Sequence, residues 1–215
     1  MSLSPDLESL WADIRACRIC RDEPIGKPLP HEPRPVVRPS SVARILIAGQ
    51  APGTRVHASG IPFDDRSGDR LRDWLGVTAD EFYDMDRFAI VPMGFCFPGL
   101  DAKGGDLPPR RECAPAWRDA LLARLPAIEF TLAIGRYAQV WHLPAGGKPL
   151  TEVVRDWRAH WPHAVALPHP SPRNNVWLAR NPWFERQLVP RLQARVRQVL
   201  DASAPPGPRR ARASR

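Results

Sequence analysis

Ala164-Val165-Ala166-Leu167-Pro168-His169-Pro170-Ser171-Pro172-Arg173-Asn174 is the stretch on which the reading of this chain turns. Its first four residues form an apolar run of the length of a buried strand. Each proline that follows fixes φ and lacks an N–H, so the strand neither continues nor passes directly into a helix. What remains is a stiff loop at a strand's C-terminal end, holding out an imidazole and a hydroxyl with little freedom to move. Open parallel sheets bind their ligands at that edge. A second strand-then-turn lies far upstream, where Arg44-Ile45-Leu46-Ile47-Ala48 runs into Gly49-Gln50-Ala51-Pro52-Gly53.

Working outward, four short apolar runs read as buried parallel strands: 45–48, 88–92, 131–134 and 165–167. Helical patterns separate them at 69–75, 111–125, 136–141 and 150–157, and a long one follows from Trp183 to about Leu200. Leu3, Leu7, Leu10, Trp11 and Ile14 recur at helical spacing, so the N-terminus reads as an amphipathic helix ending near Cys17. Residues 24–39 hold six prolines and read as an irregular crossing segment. Strands alternating with helices predict an α/β fold, a three-layer α/β/α sandwich around a central four-stranded parallel twisted sheet. One domain, residues 1–202, accounts for it. Trp74, Tyr83 and the other tryptophans are assigned to the core.

The net charge of +8 and pI near 10.1 point to a polyanionic partner. Residues 203–215 contribute four arginines and no acid; without them 27 basic residues face 23 acidic ones, a balance of +4. Their Pro, Gly and Arg content predicts a disordered basic tail, either a solubilising appendage or an electrostatic tether to DNA. No apolar run reaches the length of a membrane span, and the first ten residues do not read as a secretory signal. A cytoplasmic protein is expected, in a reducing compartment where disulfides are rare.

The four cysteines are Cys17 and Cys20, a C-x-x-C at the end of the first helix, then Cys96 after the second strand and Cys113 opening a later helix. Unrelated buried thiols are one reading. A structural metal site is the other, and soft thiolates suit zinc or an iron–sulphur cluster equally well.

Taken in order, the GQAPG turn, Ile61-Pro62-Phe63, the cysteine layout and His169-Pro170-Ser171-Pro172 resemble the uracil-DNA glycosylase superfamily. Within it they resemble most the iron–sulphur, thermophile-type branch. The resemblance spans about Cys17 to Leu188. It implies a structural [4Fe–4S] cluster on Cys17, Cys20, Cys96 and Cys113, with zinc or no metal as the alternatives. It implies that Gln50, Ala51, Pro52 and Gly53 lie beside the sugar and base, that Phe63 stacks on a flipped base, and that His169 donates to the departing base. Ser171 would pinch a phosphate, and Arg173, Asn174 and Asn175 would sit in the loop that wedges into the duplex.

The chain also departs from the family pattern. Ala51 stands where high-activity uracil enzymes carry aspartate, and Gln50 where the thermophile type often has glutamate. The turn therefore supplies no carboxylate. Asp65 aligns with the catalytic aspartate of a broad-specificity branch, with Asp64 as its neighbour; an N-cap for the following helix is the rival reading of Asp65. Met93 and Gly94 follow the second strand, where relatives place a base-reading asparagine.

The resemblance implies a monomeric, monofunctional DNA repair glycosylase, nucleoid-associated by function. It would hydrolyse the N-glycosidic bond of uracil, or of another deaminated base, in single- or double-stranded DNA, with Gln50, Asp65 and His169 as the catalytic set. No lysine sits in the motifs as a Schiff-base nucleophile. One alternative is a weak or inactive superfamily member that binds uracil or damaged DNA without turnover. A nucleotide-processing enzyme is disfavoured, because no Gly-rich loop ends in Lys-Ser/Thr.

Overall fold

The computed structural model describes residues 4–144 and 147–202. Four short strands form its centre: β1 (Ile45–Ala48), β2 (Phe88–Ile90), β3 (Phe130–Ile134) and β4 (Ala164–Leu167). They make one parallel sheet in the order β2-β1-β3-β4. Ile45 pairs with Phe88 on one side and Phe130 on the other, and Thr131 pairs with Ala164. Apart from the half-buried Thr131 of β3, the strands are apolar, because both faces of the sheet are covered. Ile45, Ile47, Phe88 and Ile90 point into the larger core cluster, while Leu46, Ala89 and Val91 point into the smaller one.

The α-helices of the described residues are α1 (Pro5–Arg15), α2 (Ile19–Asp22), α3 (Thr54–Ser59), α4 (Arg66–Leu75), α5 (Ala79–Tyr83), α6 (Cys113–Leu122), α7 (Gly135–His142), α8 (Leu150–Arg155), α9 (Asn175–Arg180) and α10 (Val189–Asp201). The larger cluster takes Leu71, Trp74 and Leu75 from α4, Val153 and Val154 from α8, and Leu192, Val196 and Val199 from α10. Leu7 and Ile14 of α1 and Leu121 of α6 close the opposite face. The result is the expected sandwich, helices on both sides of a four-stranded parallel sheet.

Several expectations shift in detail. The first helix stops at Arg15, and β2 ends at Ile90 although Val91 N–H still reaches Ile47 C=O at 2.9 Å. The long C-terminal helix opens with a π turn at Phe184–Leu188 before α10 begins. The short helices α2, α3, α5 and α9 had no counterpart in the apolar pattern. Among the described residues no helix is long and apolar enough to cross a membrane. The basic tail, 203–215, lies outside the described residues.

One buried cation underlies the exit of β2. Arg118 on α6 is 0 % exposed and donates to Val91 C=O at 2.8 Å and Pro92 C=O at 2.6 Å. It also meets His142 Nε2 at 2.5 Å. A guanidinium only donates, so this imidazole nitrogen accepts. Burial, and then the adjacent Arg118 charge, push the His142 pKa down to about 4.

Candidate active site

The strand order makes the chain change direction between β1 and β3, and ligands of open α/β sheets bind at such a switch point. A cavity of about 270 Å³ lies there. The turn after β1, the Pro62–Phe63 step and the loop after β4 all contribute to it.

Gln50, Ala51, Pro52 and Gly53 line the cavity. Their turn is fixed from behind: Met93 N–H donates to Gly49 C=O and Gly94 N–H to Gln50 C=O, both at 2.9 Å. Met93 and Gly94, expected to touch the base, are not among the lining residues. The Met93 side chain is 5 % exposed and belongs to the core. A side chain at Gly94 would meet Pro109 and Ala51 at 3.1–3.5 Å. These two residues hold the turn from behind the cavity wall.

Phe63 does line the cavity, in a conformation that the sequence did not announce. Its φ is 58°, in the left-handed region that non-glycine residues seldom adopt. Gly68, five residues on, leaves room for it. A Cβ on Gly68 would stand 1.8 Å from Phe63 O, so only glycine lets the helix start pack against this carbonyl. The ring is held edge-on by Phe82, centroids 5.9 Å apart, and passes so close to Gly49 that a Cβ there would be 3.3 Å from it.

Asp65 is the N-cap of α4, as the rival reading expected, its Oδ1 accepting Gly68 N–H at 2.9 Å, and it also lines the cavity. Ser67, buried in the first turn of α4, lines the same wall.

His169 lines the same cavity. Its Nδ1 accepts Ser171 N–H at 3.2 Å, which leaves Nε2 carrying the proton in the neutral ring. Burial lowers the His169 pKa from its ordinary value, with Asp65 and then Asp106 pulling the other way. The loop is tied down on every side. His169 C=O accepts Asn174 Nδ2 at 2.6 Å, Leu167 C=O accepts Gln139 Nε2 at 2.9 Å, and Ser171 Oγ accepts Arg173 N–H at 3.2 Å. Ser171, Arg173 and Asn174 line the cavity; Asn175 does not.

Two residues without a sequence motif complete the site. Arg70, on α4, donates to Ser171 C=O at 3.2 Å and to Asn175 Oδ1 at 2.8 Å, bolting the post-β4 loop to the helix that carries Asp65. Asp106 brings a second carboxylate to the cavity from the loop before α6. Arg173, expected as a wedge into DNA, reaches across to this loop and donates to Gly104 C=O at 2.7 Å.

The metal expectation is corrected. Cys17, Cys20, Cys96 and Cys113 do surround one small apolar pocket, with Phe95 and Trp117. Among the described residues, however, no group of three or more His, Cys, Asp or Glu side chains could hold a metal ion. That overturns the [4Fe–4S] cluster and the zinc alternative alike. Burial pushes the pKa of Cys20 up to about 11, that of Cys96 up to about 12 and that of Cys113 higher again. Two sulphurs are engaged as acceptors, Cys113 Sγ by Phe95 N–H at 3.3 Å and Cys17 Sγ by Trp117 Nε1–H at 3.2 Å. Cys20, Cys96 and Cys113 behave as small core residues, and Cys17 is half-buried beside them.

Fold and cavity together define a parallel α/β protein with a cavity at the switch point of its sheet, lined by an aromatic ring and a neutral imidazole among others. A family model described as the uracil DNA glycosylase superfamily matches residues 37–193. The chain belongs to that superfamily. Among solved structures, it is similar to a solution NMR structure from Methanosarcina acetivorans, provisionally described as a uracil DNA glycosylase. Sequence identity is 15 %, the match covers 76 % of this chain and 95 % of the other, and the TM-score is 0.45.

Proposed function

We propose that this chain is a monofunctional DNA glycosylase that hydrolyses the N-glycosidic bond of uracil, and of other deaminated bases that the cavity admits. The observation that carries the proposal is His169. With Nδ1 occupied by Ser171 N–H, a neutral ring has its Nε2–H to offer to a ligand in the cavity. A preorganised donor aimed at a carbonyl oxygen stabilises the base as it departs with the bonding electron pair, and such a donor is worth about 10²–10³ in rate. Phe63 gives the flipped base a face to stack on. Asp65 sets negative charge where the sugar becomes cationic, and Gln50 adds an amide beside it.

Size alone does not restrict the base. At roughly 30 Å³ per water the cavity holds about nine waters, room for a purine as well as a pyrimidine. Arg55, Arg66 and Arg173 are exposed on segments that border the cavity, and they suit contact with phosphates.

The test is a base-release panel on single- and double-stranded oligonucleotides carrying uracil, hypoxanthine or xanthine. Free base should appear, with strands that break only after alkali. A second reading, recognition without turnover, draws on the absence of an acid in the GQAPG turn. Tight binding to uracil DNA with no base released would establish it instead.

A further inference from the structure

Hydrolysis needs a proton acceptor for the attacking water, and the turn after β1 contains no acid. Asp65 has one carboxylate oxygen committed to the α4 cap. We infer that Asp106 is the catalytic residue that takes the proton from the attacking water, an assignment that rests on the glycosylase reading above.

Asp106 enters the cavity from the wall facing the β1 turn. Its Oδ2 and Oδ1 lie 3.8 and 4.0 Å from where a Cβ on Gly53 would stand, so the carboxylate sits directly against the turn that lacks one. It is also near enough to His169 to act on that ring electrostatically. Among the described residues, no hydrogen bond or ion pair occupies either oxygen.

The backbone, not the side chain, fixes its place. Asp106 bridges Leu100 in antiparallel fashion, Leu107 N–H donates to Gly99 C=O at 2.9 Å, and Asp101 N–H donates to Gly105 C=O at 2.7 Å. Asp101 Oδ1 accepts Lys103 N–H and Gly105 N–H, each at 2.8 Å, tightening the tip. Arg173 then ties that tip to the loop carrying His169. Asp106 is exposed, and the loop backbone, not a partner of its carboxylate, sets its place in the cavity that His169 also lines.

Atoms and electrons balance in the step. The bond from the sugar C1′ to the base nitrogen breaks, and its electron pair leaves with the base, whose carbonyl oxygen receives the His169 Nε2–H hydrogen bond. Water oxygen bonds to C1′, and its proton passes to the Asp106 carboxylate and from there, through solvent, to the departing base anion. The products are free base and an abasic deoxyribose.

The experiment measures single-turnover release of uracil from a single-stranded oligonucleotide by the full chain and by Asp106→Asn, Asp106→Ala and His169→Ala. Asp106→Asn should be slower by about 10²–10⁴, with unchanged oligonucleotide binding and thermal melting. Added formate should restore part of the rate to Asp106→Ala and none to His169→Ala. If the wild type releases uracil and Asp106→Asn matches it, the assignment of Asp106 falls while the glycosylase reading stands. A slow Asp106→Ala that formate does not rescue would mean the side chain only shapes the loop, and would overturn the assignment too. No release by the wild type from any substrate would overturn both.

Discussion

A single hydrogen bond decides what His169 can do. While Ser171 N–H points at Nδ1, protonating the ring would set two donors against each other, and burial opposes the charge as well. An NMR titration of His169 should therefore give a midpoint below the ordinary value of about 6.5. Asp65→Asn should lower it further, since the Asp65 charge is the larger of the two that hold it up. His169→Ala should keep DNA binding and lose about 10²–10³ of the excision rate, read in single-turnover assays. Phe63→Ala should instead weaken capture of the flipped base by about 1–3 kcal/mol, read as affinity for uracil-containing strands.

At the scale of elements, the frame was legible because it is written in apolar runs. All four strands lie within a residue or two of their expected places, since a buried parallel strand announces itself by continuous hydrophobicity. Short helices were not legible: α3, α5 and α9 have five or six residues each, too few for a periodic signal. Nor were the ties between distant elements. Arg70 precedes Ser171 by 101 residues, and nothing local to either marks their meeting. Asp106 sits in a loop with no motif of its own, whereas Asp65 stood out in the sequence by its likeness to an aspartate of a broad-specificity branch, with an N-cap as the rival reading. The cysteines teach the converse lesson: all four line one small apolar pocket, yet among the described residues no three His, Cys, Asp or Glu side chains are placed to hold a metal ion, so spacing alone does not make a site. Because Arg70 joins α4 to the post-β4 loop through two hydrogen bonds, Arg70→Ala should slow excision without abolishing it. Its melting temperature should move little, as the side chain is partly exposed and the core stays intact. Parallel measurements of rate and thermal melting check this.

For the whole molecule, acid is the predicted weakness. His142 is neutral in the fold, with a pKa near 4 set by burial and by Arg118, against about 6.5 unfolded. Its contribution to stability is complete above the unfolded value and is lost as pH falls through the folded one, because the unfolded chain then binds a proton that the fold resists. Thermal melts should show a loss of stability between about pH 6.5 and 4, and His142→Gln, which keeps a neutral acceptor for Arg118, should flatten it. Charge sets a second expectation at this scale. Deleting residues 203–215 removes four arginines. Non-specific DNA affinity should then depend less steeply on salt, by roughly 0.7–0.9 in the log–log slope for each phosphate no longer neutralised, with turnover on short saturating substrates unchanged. Binding isotherms across a salt series would show it, and an unaltered slope would mean that the segment does not touch DNA.

The clasp between Phe63 and Gly68 makes the two sides of the cavity unequal partners in any change of substrate. No side chain larger than hydrogen fits at Gly68 while the Phe63 carbonyl stays where it is, so the aromatic side is closed to variation. Leu107, which also lines the cavity, is 37 % exposed on a loop shaped by its own backbone, and it can be exchanged without disturbing the core. A library seeking new base preferences belongs at Leu107, where the Phe63 ring stays constant and only another part of the lining is rewritten.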